Sequence, residues 1–122
     1  MTGELNVEDS ILLSIKKSLG LDPEFKDFDV DITMAINTSL SSLQQFGVFG
    51  ETPFSISGEE QLWSQFIPEG NLEMIKSYIF IKTKLLFDPP QSSFVLASYK
   101  EQLKELEWRI YIECDPTGPD DS

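Results

Sequence analysis

The sequence predicts an all-α fold: a small bundle of about four helices, with a long central loop that has room for a short β-hairpin arm. Three observations carry this. Apolar residues recur at steps of three and four in four separate segments. Gly or Pro-rich turns divide those segments. Only between Gly47 and Asn71 does the helical period lapse.

The first helix is predicted to start at an Asn6 cap, with Glu8 and Asp9 in its first turn, Lys16 and Lys17 in its last, and Gly20 beyond. Val7, Ile11, Ile15 and Leu19 form its stripe, with Leu12 alongside. Leu21-Asp-Pro-Glu reads as a turn. The second helix runs from Asp27 or Phe28 to Phe46 and closes at Gly47; Ile32, Ile36, Leu40 and Leu43 mark its buried face. Asp27, Asp29 and Asp31 crowd its positive N-terminus, where the helix dipole favours them. They also begin like a calcium loop, but Ile32 stands sixth where glycine is required, and Thr38 twelfth where glutamate is required. The dipole reading is therefore preferred.

Phe49, Phe54 and Ile56 alternate among Gly, Pro, Thr and Ser, the pattern of a loop with a short strand or arm. Gly58 to Phe66 allows one or two helical turns carrying Trp63 and Phe66. The third helix spans Leu72 to Phe87. Ile75, Tyr78, Ile79, Ile81, Leu85 and Leu86 cover most of its circumference, which makes it the central, buried one. Asp88-Pro-Pro stops it. The fourth helix is capped by Asp88, Ser92 or Ser93 and continues to about Ile112, with a seam of Leu96, Tyr99, Leu103, Leu106 and Ile110. A helical domain is expected over residues 1–114, followed by an acidic tail over 115–122.

At 122 residues there is room for one domain, and 40% hydrophobic residues are too many for a disordered chain. Twenty-one acids against nine bases give a net charge of −12, a field that repels phosphate backbones and anionic lipid. Met1 to Asp9 opens acidic rather than basic, so no secretory leader is expected. No apolar run approaches a membrane span, and Lys76, Lys82 and Lys84 point in three directions rather than forming a basic stripe. A lone Cys114 cannot form an internal disulfide and suits a reducing cytoplasm.

The catalytic inventory is thin. With no histidine, Ser–His–Asp and Cys–His sites and histidine metal ligands are excluded. One cysteine cannot build a thiolate zinc cluster, and Gly47 and Gly50 are isolated turn residues, not a phosphate loop. No catalytic residue, cofactor or metal site is expected, and the chain reads as a binding protein, not an enzyme. Trp108 and Ile112, four apart, lie off the seam that Leu106 and Ile110 continue. They belong either to a core that wraps both faces or to an apolar anchor for a partner. Phe49, Phe54 and Ile56 pose the same choice inside the loop.

Longer stretches are more specific. Leu72-Glu-Met-Ile-Lys-Ser-Tyr-Ile-Phe-Ile-Lys-Thr-Lys-Leu-Leu-Phe-Asp-Pro-Pro, Ser92-Ser-Phe-Val-Leu and Lys100-Glu-Gln-Leu-Lys-Glu-Leu-Glu-Trp-Arg stand in the second half. Ser10-Ile-Leu-Leu-Ser-Ile-Lys-Lys-Ser-Leu-Gly, Asp31-Ile and Trp63-Ser-Gln-Phe stand in the first. Together these resemble the head–tail connector (adaptor) proteins of tailed bacteriophages and prophages of Gram-positive bacteria, from about Ser10 to Arg109. The chain departs from that pattern at Phe49-Gly50 and in its C-terminal tail.

The resemblance implies a structural virion protein, made in the host cytoplasm and placed in the neck. It implies a homo-oligomeric ring, expected to be dodecameric, between the portal protein and the stopper or tail-completion protein. DNA would pass through that ring without specific binding, and no membrane or cofactor is involved. Trp108, Ile110, Tyr111 and Ile112 become the expected portal contact, and Phe49, Phe54 and Ile56 the expected contact with a neighbouring copy. The competing reading is an acidic DNA mimic that inhibits a host nucleic-acid-binding protein. It requires carboxylates regularly spaced on one face, whereas these cluster at helix starts, loops and the tail.

Overall fold

The computed structural model describes residues 9–48, 54–66 and 72–114. The helices run α1 (Ile11–Ser18), α2 (Asp29–Gln45), α3 (Trp63–Phe66), α4 (Leu72–Phe87) and α5 (Ser93–Cys114). The fold is all-α; among the described residues there is no strand, only a single antiparallel bridge between Ser10 and Leu62.

Helix α1 starts four residues later than an Asn6 cap predicts. Ser10 is its N-cap, and the Ser10 hydroxyl accepts from the Leu13 amide at 3.3 Å. Tertiary pairing sets this start. The Ile11 amide donates to Gln61 O (3.1 Å), the Trp63 amide to Asp9 O (2.8 Å), and the Ser10 hydroxyl to Glu59 O (2.7 Å). Asp9 and Ser10 are thereby spent on the 59–63 segment and cannot continue a helix backwards. Glu8 and the Asn6 position lie outside the described residues.

Both α1 and α2 end the same way. Gly20 and Gly47 adopt φ of 86° and 89°, the left-handed region open to glycine. Leu21 N then reaches Lys16 O at 2.9 Å, and Val48 N reaches Leu43 O at 3.2 Å, with Gly20 and Gly47 closing the inner bonds. Leu21 and Val48 fold back against the core. Lys16 stands in the last turn of α1, as the sequence predicts, and is fully buried. Its ammonium meets Pro23 O at 2.9 Å and Asp29 Oδ1 at 2.8 Å, tying the end of α1, the following turn and the start of α2 together.

Helix α4 is central, packing most extensively on α2 and α5. Ile75, Tyr78, Ile79, Ile81 and Thr83 are buried along it. Leu86, one of the apolar residues from which the sequence read this helix as buried, is 52% exposed, on the rim of a groove that it shares with α2. Ile32, Ile36, Leu40 and Leu43 of α2 meet α1 residues Ile11, Leu12 and Ile15 in the same core, with Trp63 and Ile56 closing it. Trp63 donates from Nε1 to the Ser14 hydroxyl at 2.8 Å, and the Lys76 ammonium sits 5.5 Å from its ring centroid.

One side chain holds the irregular segment. The Asn37 amide of α2 donates to Ile56 O at 2.9 Å and accepts from Ile56 N at 2.8 Å. It thus gives a loop residue both bonds that a neighbouring strand would supply. Asn37→Ala leaves both Ile56 groups without their partner and is expected to cost about 1–3 kcal/mol. Urea unfolding checks this beside the exposed control Ser41→Ala, which is expected to stay within about 0.5 kcal/mol.

Candidate functional site

Helix α5 has 22 residues, about 33 Å of helix, against 16 residues and about 24 Å for α4. It begins at Ser92, whose hydroxyl accepts from Val95 N at 3.3 Å. Its seam of Leu96, Tyr99, Leu103 and Leu106 is only partly buried, and Ile110 alone is sealed in the core. Tyr78 of α4 donates to Glu107 Oε2 at 3.3 Å across the two helices. Burial pushes the Tyr78 phenol up to about 12, with the nearby Glu107 carboxylate adding to the shift. Tyr78 therefore stays a neutral donor throughout the physiological range.

The expected partner group on α5 divides. Trp108 is 59% exposed, Tyr111 is about half exposed and Ile112 is half-buried. Ile110 is a correction. It is fully buried, since it ends the seam against α4, and offers no surface to a partner. Phe94, at the other end of the helix, is the most exposed large apolar residue described, at 82%.

The expected loop group divides too. Ile56 is buried and held by Asn37, and Phe54 packs against the core. Both serve this chain's own interior. Phe49 lies outside the described residues.

A second surface went unmarked in the sequence. Phe25, Phe28, Val30, Met34 and Leu86 are exposed around the start of α2 and the end of α4. Phe28 bridges Phe25 and Phe87 through edge-on contacts, each 5.5 Å between centroids. Phe28, Met34, Ala35, Leu86 and Phe87 line a shallow groove with Asp31 and Thr38. A signal did exist: Val30 and Met34 are four apart, and Val30 lies about 200° round the helix from Ile32. Apolar residues so placed face away from the stripe that packs the core.

Among the described residues, no cluster of three acidic, histidine or cysteine side chains is arranged to hold a metal ion, and no helix is long and apolar enough to cross a membrane. What the molecule presents is apolar surface at both ends of α5 and beside α2. Such patches mark contact with other macromolecules. Trp108→Ala is expected to cost no more than about 1 kcal/mol, and Ile110→Ala about 2–5 kcal/mol, with denaturant midpoints separating the two.

Comparison with known proteins bears on what that contact is. The sequence model of one family, described as phage connector protein, matches residues 11–117. No curated protein and no solved structure matches the chain.

Proposed function

The chain belongs to the phage connector protein family, and from that premise we propose that it forms a ring in the virion neck, between the portal and the stopper or tail-completion protein. The observation that carries the reading is the family match across nearly the whole helical domain. The structure supports it with a rigid bundle that leaves large apolar side chains uncovered on more than one side.

In this reading the C-terminal part of α5 meets the portal through Trp108, Tyr111 and Ile112. These residues can be covered without disturbing the seam, because Leu106, Ile110 and the Tyr78–Glu107 hydrogen bond hold that part of α5 to the core. A copy that meets the 54–57 segment finds Ser55 and Ser57 exposed, not Ile56. The ring lengthens the DNA channel, and a chain of net charge −12 lines such a channel without gripping phosphate.

The same charge opposes assembly. Every added copy brings a further −12 into the ring, so a portal that supplies binding energy at each position is the natural template. Sedimentation velocity tests this. Alone, the chain is expected to run as a monomer or weak oligomer, and with purified portal as a ring-sized complex. A stable ring without portal would contradict the templating, and no complex with portal would contradict the connector reading. In gel shifts the free chain is expected to leave duplex DNA unmoved at physiological salt and at low salt alike. A shift that weakens steeply with salt, the mark of counterion release, would overturn the channel-lining role.

A further inference from the structure

Among the described residues, the surface formed by Phe25, Phe28, Val30, Met34 and Leu86 stays exposed, and its charges are as specific as its apolar side chains. Asp27 and Asp31 are exposed beside it and form no ion pair among the described residues. Asp29, between them, is already taken by Lys16. An occupant of this surface therefore needs an apolar body and cationic groups.

The cations of this chain are few, and most are engaged. Of nine, six interact within the chain: Lys16, Lys26 and Lys84 with carboxylates, Lys76 and Lys82 with aromatic rings, and Lys17 with a partner of its own. The remaining three, Lys100, Lys104 and Arg109, have no such partner among the described residues, and all lie on α5. Lys100 and Lys104 are four apart, and at about 100° per residue they share a side of the helix with Ala97. That side flanks the seam, and Ala97, Lys100 and Lys104 are all exposed, so it presents aliphatic lysine stems with two ammonium groups that have no partner among the described residues.

We propose that the occupant is a second copy of this chain: the Ala97–Lys100–Lys104 side of its α5 seats on the acid-edged apolar face of α2 and α4. This deepens the connector reading and rests on it. The two patches differ and lie on different helices, so the contact is head-to-tail. Repeated by rotation it closes into a ring, whereas a self-complementary patch would stop at a dimer. It also places two cations without a partner among the described residues against two such anions, locally offsetting the repulsion between copies of net charge −12.

Equal parts of ordinary and isotopically heavy chain, concentrated to roughly millimolar and treated with a carbodiimide that joins lysine to carboxylate, test the contact. Heavy–light links are expected from Lys100 or Lys104 to Asp27 or Asp31. Lys104→Glu or Asp31→Lys alone is expected to lower their yield about tenfold or more, and the two together in one chain to restore it. All these positions are exposed, so melting temperatures are expected to hold and to confirm that the variants fold. Heavy–light links confined to other residues, no such links at all, or single reversals without effect would each overturn the contact. Binding of the same variants to purified portal separates the two ideas: if it persists, the connector reading stands while this inner contact falls.

Discussion

Helix α4 is apolar around most of its circumference, and water must be kept from several of its sides at once. Ile75, Tyr78, Ile79 and Ile81 reach full or nearly full burial only because α2 lies along one side and α5 along another. Trp63, delivered by the single turn of α3, belongs to the same core and carries Lys76 over its ring. Each fully buried side chain of this size contributes about 1.5–3 kcal/mol. Among the described residues, the elements that cover α4 leave the outer face of α5 uncovered, with Phe94 and Trp108 exposed.

A second constraint follows from the first. Residues 54–62 have no helix of their own, yet they must lie against the core to deliver Ile56 and lead into Trp63. Buried backbone without secondary structure needs partners from elsewhere. Asn37 supplies two, and residues 9–11 supply others through the Ser10–Leu62 bridge. These bonds explain which parts of the fold could be read in advance. The bounds of α4, and the glycine stops after α1 and α2, follow from local signals: apolar period, the Pro-Pro pair, and glycine at positive φ. The start of α1 did not, because Ser10 caps it only once a segment 49 residues away has docked. Asn37 likewise looks like an ordinary polar residue on a helix until the loop it clamps is in place.

The contact surfaces were legible to differing degrees for the same reason. Trp108 stands off the seam by simple helical spacing, and the structure leaves it exposed. Ile110 obeys that same spacing and is core. In the loop, alternation cannot tell an apolar residue facing its own core from one facing a neighbour, and Ile56 faces inward. The α2–α4 surface was hidden by the strength of the Ile32–Ile36–Leu40–Leu43 stripe, which draws the eye from Val30 and Met34 opposite. The unpaired state of Lys100 and Lys104 needs the fold as well, since it emerges only when the partners of the other cations are known.

Family membership and physical reading meet in one proposal: an acidic helical bundle whose exposed apolar faces are completed by other subunits. Cross-linking mass spectrometry on intact virions that carry this chain tests that picture most directly, because it names the neighbours in place. The account predicts links from the C-terminal half of α5 to the portal protein and links between copies of the chain itself. Absence of the chain from purified virions, or links only to host nucleic-acid-binding proteins in infected cells, would contradict it.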